Sequence, residues 1–310
     1  MYLLIPFAST LAEGCVHTLR DLQLPNLSRL LARLSPAARD AGDETSLSPP
    51  HERALAAALG WRGADGCLPW AARLAAQDGI AVGDSAWGLL TPAHWVLGAD
   101  HVHLADPAQL ALDEAGSRAL LHVVREVFES LHWRIEWGAP LRWYAAHESL
   151  RDLPCAALDR VIGRNVNLWL PPDPRQALVR RLQSEAQMLL YQAAANDERA
   201  ARGAPVVNSF WLSGCGVRQR EAATPELTVD ESLRESALAE DWAAWAEAWQ
   251  TLDAGPLAAL LARAERGEAV ALTLCGERDA QRFEARPQPL WARLTRGLRA
   301  PPVAPLLEAL

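Results

Sequence analysis

Two histidines between Asp100 and Asp106 have a spacing that could serve a metal ion. His101 and His103 are separated by one residue, so a strand would place both imidazoles on one face. Asp106 follows closely, and two imidazoles with a carboxylate suit zinc or iron. Histidines two residues apart are also common in half-buried strands. The segment therefore leaves two interpretations open, a metal site at His101, His103 and Asp106 or an ordinary strand.

A second candidate is the stretch "NDERAARGAPVVNSFWLSGCG", residues 196–216. A charged helix end reaches Gly203, and an apolar run then leads to Gly214, Cys215 and Gly216. Glycines at a strand end let a ligand or another backbone segment come close. Cys215 could be a nucleophile beside exposed backbone N–H groups, but no histidine lies nearby in the sequence to activate it. A catalytic thiol and a buried structural cysteine both remain open for Cys215.

Lysine is absent from the chain, so all 30 basic residues are arginine. This composition excludes a P-loop lysine, a pyridoxal-phosphate Schiff base and a lysine general base. Arginine stays protonated, so it can bind an anion but hardly transfers a proton. For Arg199 the sequence leaves open an anion contact or an arginine paired within the protein.

Composition narrows the classes of partner. The chain has 310 residues, 50% of them hydrophobic, which is enough for one large domain or two. A net charge of -8 argues against nucleic acid and anionic membranes as partners. The N-terminus has no basic region before its apolar residues, and no apolar run reaches the roughly 18 residues of a membrane span. Five cysteines without a C-x-x-C pattern fit reduced thiols, so we expect a cytoplasmic protein.

Hydrophobic periodicity predicts alternating strands and helices that would position these residues. "HWRIEWGAPLRWYAA" is typical of a hairpin, and a long helix is predicted from an N-cap at Asp173 to a C-cap at Gly203. Trp242, Trp245 and Trp249 fall at helical spacing, and this stripe either packs in the core or forms a surface for a partner. Further predicted strands are "YLLIPFA", "VVNSFWL" and "EAVALTLC", and further predicted helices are "LPNLSRLLARL", "DEAGSRALLHVVREVFESL" and "PLWARLTRGL".

The stretch 196–216 resembles the archaeal-type cofactor-independent phosphoglycerate mutases of the alkaline phosphatase superfamily. That family has a helix ending His-Pro-x-Asn-x-x-Arg-x-x-x-Gly, then Pro-Ala-Asn, an apolar strand and Arg-Gly-x-Gly. The residues with matching mutual spacing are Asn196, Arg199, Gly203, Asn208, Gly214 and Gly216. "LPNLSRLLARL" and "HVHLADPAQLALDEAGSRALLHVVREVF" are similar to two other family segments. The three matches cover about half of the chain in the family's order.

The chain departs from this family where the family's chemistry is carried out. Two metal ions, a serine nucleophile, and aspartate and histidine ligands transfer the phosphoryl group in such enzymes. Here the first strand, "LLIPFAST", contains no acid, and no histidine follows His147. Ser85 in "GDSAWG" stands in for the nucleophile motif, Ala193-Ala194 replaces His-Pro, and Ser213 replaces the arginine before the glycines. The resemblance therefore implies loss of the ancestral reaction.

The resemblance implies an α/β fold, an alkaline-phosphatase-like three-layer sandwich with a mainly parallel sheet and a smaller inserted α+β domain. The core would comprise residues 1–85 and 171–310, with the insertion at 86–170. "YLLIPFA", "VVNSFWL" and "EAVALTLC" should share one sheet with helices on both faces, and separate sheets would contradict the family assignment. The ligand contacts that the resemblance implies are Asn196, Arg199, Asn208, Gly214 and Gly216.

Three functional hypotheses follow. The first is a phosphoglycerate-mutase-like binding or regulatory protein that holds no metal or cofactor and recognises a phosphorylated small molecule. The second is an active phosphomonoester mutase or phosphatase with relocated ligands for manganese or zinc, in which Ser85 or Cys215 would be the catalytic candidate. The third is a protein-interaction module that uses its tryptophan-rich surface. All three are compatible with an oligomer or a protein partner.

Overall fold

The computed structural model describes residues 1–223, 226–285 and 302–310. The chain forms two compact units, one of residues 1–44, 49–60 and 222–310 and one of residues 45–48 and 61–221. The predicted domain boundaries after residues 85 and 170 both fall within the second unit. The predicted closing helix "PLWARLTRGL" lies outside the described residues.

Helices and strands are interspersed along the described chain. In chain order they are β1 (Tyr2–Ile5), α1 (Glu13–Asp21), α2 (Pro25–Leu31), β2 (Ser35–Asp40), α3 (Pro50–Ala58), α4 (Trp70–Gln77), β3 (Ala86–Ala93), β4 (Trp95–Leu97), β5 (Val102–Leu104), α5 (Glu114–Ser130), β6 (Arg134–Ala139), β7 (Arg142–Ala146), α6 (Leu158–Val161), α7 (Gln176–Tyr191), α8 (Ala194–Ala201), β8 (Ser209–Val217), β9 (Leu227–Val229), α9 (Arg234–Leu238), α10 (Trp242–Leu252), α11 (Ala258–Glu265), β10 (Ala271–Cys275), β11 (Ala280–Glu284) and α12 (Val303–Glu308).

The first unit is built on a five-stranded mixed sheet in the order β2-β11-β10-β1-β9. β1 is parallel to β9 and β10, whereas β11 is antiparallel to β10 and to β2. Successive residues of a strand point to opposite faces. Leu3 and Ile5 accordingly join a core with α1, α2, α10 and α11, and Tyr2 and Leu4 pack on the other side with Ala54 of α3. Helices on both faces of this sheet are thus confirmed.

The predicted position of "VVNSFWL" is wrong. This segment leads into β8, which pairs antiparallel with β3 in a separate four-stranded sheet of the order β6-β7-β3-β8, all antiparallel. The fold is mixed α/β, but the three predicted strands do not share one mainly parallel sheet, and the ordered-motif argument for the family loses this segment. The physical reason is that a short apolar run indicates a buried strand without specifying its partner. Here the partner is set by a register that places Leu212 opposite Leu90.

The antiparallel sheet of the second unit is also covered on both faces. α5 and α7 pack against one face through residues such as Phe128 and Leu182. α4 packs on the other face against Trp87 and Tyr144. The predicted hairpin is confirmed as β6 and β7.

The predicted long helix is two helices in the structure. α7 ends at Tyr191, and α8 begins after Ala193, which has extended backbone angles. The predicted N-cap is also wrong, because Arg175 occupies that position. Asp173 instead accepts hydrogen bonds from the backbone N–H and the guanidinium of Arg175. An aspartate commonly stabilises a turn in this way just before a helix begins.

The tryptophan stripe belongs mainly to the core of the first unit. Trp245 and Trp249 are fully buried, with ring centroids 6.1 Å apart in an edge-to-face arrangement. The Trp245 indole N–H donates to the Phe7 carbonyl at 3.0 Å, and Trp242 is only partly buried. Two of the three rings are therefore inaccessible to a partner, which removes the basis of the tryptophan-rich surface.

No helix within residues 1–223, 226–285 and 302–310 combines the length and the apolar character that crossing a bilayer requires.

Candidate functional site

The stretch 196–216 begins with a helix end that the sequence predicts correctly. The backbone N–H of Gly203 donates to Ala200 and that of Ala204 donates to Arg199, both at 3.0 Å. This pair of bonds is the Schellman motif, which requires a left-handed residue after the helix. Gly203 supplies it with a φ of 70°. The C-cap role of Gly203 is confirmed.

Asn196 holds this helix against the strand that follows. Its amide donates to the carbonyls of Leu190 and Val207 at 2.8 Å each, and its side-chain oxygen accepts from the Val207 N–H at 2.9 Å. The residue is buried, so these bonds satisfy an amide that would otherwise lose its hydration. Asn196 thus connects the end of α7, the start of α8 and the segment before β8.

Asn208 makes a paired contact with the backbone of β4. Its oxygen accepts from the Trp95 N–H at 2.7 Å, and its amide donates to the Trp95 carbonyl at 2.8 Å. The Asn208 side chain therefore makes the two hydrogen bonds to Trp95 that a neighbouring strand would otherwise make. The sequence predicts backbone partners for the Asn208 side chain, but in the preceding loop or at the helix end at residues 196–199. That location is wrong, because the partner is Trp95 in β4, more than 100 positions earlier.

Arg199 is buried, and the bonds found for its guanidinium go to backbone. Its Nε donates to the Pro205 carbonyl at 2.9 Å, and an Nη donates to the Leu110 carbonyl. Burial, with the nearby charge of Arg202, lowers the pKa of Arg199. These bonds hold the 203–208 loop to the segment before α5. The Arg199 guanidinium, for which the resemblance implies a ligand contact, is thus bonded within the protein.

Gly214 and Gly216 allow another backbone segment to come close. Gly214 has a φ of 63°, and a Cβ there would lie 2.9 Å from the Ala71 nitrogen and 3.0 Å from the Trp70 Cβ. Gly216 has a φ of 145°, and a Cβ there would lie 3.1 Å from Pro69. The two glycines therefore accommodate the first residues of α4.

Cys215 is fully buried between these glycines. Its Sγ is 3.5 Å from the Sγ of Cys155. Burial raises the pKa of the Cys215 thiol well above its usual range, and the neighbouring Cys155 adds to this shift. A thiol with a raised pKa forms little of the nucleophilic thiolate. The surroundings of Cys215 are those of a packed structural cysteine.

The other candidate residues are dispersed in the second unit. Ser85 is exposed in the segment just before β3. The rings of His101 and His103 are 6.4 Å apart, while Asp106 accepts from the Ala108 N–H at 3.0 Å. Across the described ranges, no group of three or more histidine, cysteine, aspartate or glutamate side chains is arranged to hold a metal ion. Residues 224–225 and 286–301 contain none of these four residue types.

The carboxyl ends of β1 and β10 in the first unit are occupied by the protein itself. After β1 the chain continues through Phe7, whose φ is 56° and whose carbonyl accepts from Trp245. After β10 the Glu277 carboxylate accepts from the Leu11 N–H at 2.9 Å. The carboxyl edge of parallel strands is where α/β proteins usually bind ligands. Here the Phe7 carbonyl and the Glu277 carboxylate at this edge both bond to other parts of the chain.

A cavity of about 510 Å³ opens elsewhere, in the second unit. We call it the Trp95 cavity. Its lining residues are Trp95, Leu97, Val102, Gln187, Leu190, Tyr191, Asn196, Asp197, Ala200, Val206 and Asn208. Asn196 and Asn208, both predicted as ligand contacts, thus lie in its wall, whereas Arg199, Gly214 and Gly216 are absent from this described lining.

The wall of the cavity follows from strand alternation. β4 and β5 pair with Leu97 opposite Val102, so Trp95, Leu97 and Val102 share one face of this small hairpin. Residues of the opposite face, His94 and Val96, line a second cavity of about 460 Å³. The sequence contains the alternating pattern, but sequence reasoning assigned these residues only to a strand.

The rim of the Trp95 cavity is unusually apolar for a surface. Leu97 is 83% exposed and Tyr191 is 86% exposed. The Trp95 indole N–H is buried and has no hydrogen-bond partner within the described chain. These features make the Trp95 cavity the strongest candidate binding site within the described part of the chain.

No protein-family model and no curated protein matches the chain. Among solved structures it is similar to a cofactor-independent phosphoglycerate mutase from Thermoplasma acidophilum, with 13% identity, a TM-score of 0.38, and coverage of 91% of this chain and 89% of that one. It is also similar to the PH0037 protein from Pyrococcus horikoshii, with 10% identity, a TM-score of 0.45, and coverage of 92% of this chain and 87% of that one. Both scores lie below 0.5, and we draw nothing about function from them.

Proposed function

We propose that the protein is a small-molecule-binding protein whose site is the Trp95 cavity, and that it does not transfer phosphoryl groups. The observation that carries this proposal is the cavity itself, about 510 Å³ in volume and lined mainly by apolar and aromatic side chains with a few amides. Binding sites for small molecules have this size and this mixture of groups. The ligand would be a largely apolar molecule that carries one polar or charged group.

A distant relationship to the phosphoglycerate mutases, limited to an alkaline-phosphatase-like arrangement of the first unit, is part of the same proposal. Its support is the parallel arrangement of strands β9, β1 and β10. The stretch 196–216 does not add to this support, because it leads into the separate antiparallel sheet. Loss of the two-metal reaction is supported by the strand ends, where Phe7 and Glu277 bond to other parts of the chain. Phosphoryl transfer with two metal ions would instead need carboxylates directed at those ions.

A fluorescent apolar probe tests the binding proposal. N-phenyl-1-naphthylamine is uncharged at neutral pH and brightens in apolar surroundings. We expect the wild-type protein to bind it, and Ala200→Trp to weaken binding by at least about tenfold because Ala200 lines the cavity. Ala201→Trp is the matched control, since Ala201 is exposed at the end of the same helix and outside the described lining. Equal binding by all three proteins would refute the site.

An enzyme assay tests the second part of the proposal. The purified protein is supplied with manganese or zinc and 3-phosphoglycerate, and formation of 2-phosphoglycerate is followed through added enolase. We expect no turnover above a buffer control. Metal-dependent turnover by the wild-type protein would contradict the proposal, and turnover that survives in Ala200→Trp would support a metal site outside the Trp95 cavity.

A further inference from the structure

The charge on the wall of the Trp95 cavity carries a more specific inference. Among its described lining residues, Asp197 is the one acidic residue, and no arginine contributes to the lining. Arg199 lies two positions away in sequence, but its guanidinium is bonded to the Pro205 and Leu110 carbonyls. A phosphate or carboxylate entering the cavity would therefore meet a negative side chain without a compensating cation.

Two aromatic rings line the same space. Trp95 and Tyr191 belong to the wall, and Tyr191 is largely exposed. The face of an indole or phenol ring carries negative charge and attracts an organic cation. Aromatic side chains beside a carboxylate are a usual means of binding an ammonium group, because they replace its hydration without trapping it in a tight ion pair.

The end of α7 and the start of α8 both line the cavity. Leu190 and Tyr191 are the last residues of α7, and Asn196 and Asp197 belong to the first turn of α8. The partial negative charge at the end of α7 and the partial positive charge at the start of α8 oppose each other. The preference for a cation therefore rests on the carboxylate and the ring faces.

From this combination we infer that the Trp95 cavity binds an organic cation, an amine or quaternary ammonium compound with an apolar body. The inference rests on the proposed binding function and specifies its ligand class. The apolar body would lie against Leu97, Val102 and Val206, and the cationic group near Asp197. The negative net charge of the chain, -8, also favours the approach of cations.

Three probes that share one apolar body test this inference. They are 4-phenylbutylamine, 4-phenylbutan-1-ol and 4-phenylbutyrate, measured by displacement of N-phenyl-1-naphthylamine. We expect the ammonium form to bind roughly three- to tenfold more tightly than the alcohol, since exposed ion pairs and cation–π contacts are individually weak. The carboxylate should bind most weakly of the three.

Two single-charge variants assign the effect to a residue. Asp197→Asn should weaken binding of the amine more than binding of the alcohol and so remove most of the preference for the amine. Glu198→Gln removes the same charge from the next position, which is exposed and outside the described lining, and should keep the preference. Equal binding of amine and alcohol, or a preference that persists in Asp197→Asn, would overturn the cation inference while the binding function stands.

Other outcomes are distinguishable. The binding function itself would be refuted if the wild-type protein bound no probe. It would also be refuted if Ala200→Trp bound the probe as tightly as the wild type. A further outcome is that light scattering shows the wild-type protein to be a dimer and Tyr191→Asp to be a monomer. If the dimer also binds no probe, a second copy of the chain covers the cavity. That result would overturn the inference in favour of self-association.

Discussion

Asn208 and Trp95 are joined by two hydrogen bonds in which one side chain satisfies both backbone groups of the other residue. The Trp95 N–H donates at 2.7 Å and its carbonyl accepts at 2.8 Å. This contact fixes β4 beside the segment that leads into β8, and both residues line the Trp95 cavity. The stretch that resembles a phosphoglycerate mutase motif therefore builds the wall of the proposed site.

Replacing Asn208 tests this relationship. Asn208→Ala leaves the N–H and carbonyl of Trp95 without these partners, and we expect a loss of roughly 1–3 kcal/mol in the free energy of unfolding. Asn208→Asp can still accept from the Trp95 N–H but can no longer donate to the Trp95 carbonyl. We therefore expect it, too, to lower the free energy of unfolding, through the unpaired carbonyl alone. Asn167→Ala, at an exposed position, is the control. Urea titration that shows no difference between Asn208→Ala and the control would contradict this role.

Alanine variants of Gly203 and Gly214 distinguish the cost of backbone strain from the cost of a steric clash. Both have positive φ, but a Cβ at Gly203 meets nothing within 4 Å, whereas one at Gly214 would lie 2.9 Å from the Ala71 nitrogen. Gly203→Ala should cost about 1 kcal/mol through strain alone. Gly214→Ala should cost about 3 kcal/mol because it also displaces the start of α4. Equal melting temperatures for the two variants would show that the close approach at Gly214 is absent.

The hydrogen bonds of the Asp78 carboxylate indicate how the stability of the protein responds to acid. It accepts two hydrogen bonds from Arg142 and one from Tyr144 at 2.7 Å. The Arg142 guanidinium, more than any other group, lowers the pKa of Asp78. The folded-state pKa is thus below the ordinary value of about 3.9, so this stabilisation is present above that pH and is lost as the pH falls through the lowered pKa.

The test compares Asp78→Asn with wild type between pH 7 and pH 2. The variant should melt at a lower temperature at pH 7, and the difference should shrink as the pH approaches 2. Asp100→Asn, at an exposed position, should follow the wild-type curve. A difference that stays constant with pH would mean that the charge of Asp78 contributes nothing.

Thiol alkylation of the native protein tests the assignment of Cys215 as structural. Cys67 is only partly buried, whereas Cys215 is fully buried and has a raised pKa. Iodoacetamide at neutral pH should therefore modify Cys67 first and reach Cys215 only on unfolding, as peptide mass spectrometry would show. Rapid modification of native Cys215 would restore the nucleophile hypothesis.

The sequence predicts individual elements better than their assembly. The C-cap at Gly203 and the β6–β7 hairpin are confirmed because both depend on local backbone preferences. The sheet membership of β8 is wrong because its partner, β3, is set by packing and register between distant segments. The break after Tyr191 also escapes prediction, since the sequence there contains neither glycine nor proline.

The candidate site shows the same division. Spacing correctly marks 196–216 as a close approach of two backbone segments, but the segment that approaches Gly214 is α4, which no local pattern identifies. The Trp95 cavity combines residues from β4, β5, α7 and α8. Its apolar members look like ordinary core positions in the sequence, and only the exposure of Leu97 and Tyr191 distinguishes them.

The most direct test of the proposed site is the indole region of a nitrogen–proton NMR spectrum. The protein contains 13 tryptophans, and comparison with Trp95→Phe and Trp245→Phe assigns the two signals needed. On addition of 4-phenylbutylamine we expect the Trp95 signal to move in a saturable manner. The Trp245 signal, from an indole bonded to the Phe7 carbonyl in the first unit, should stay in place. A Trp95 signal that does not move while other indole signals do would contradict the account.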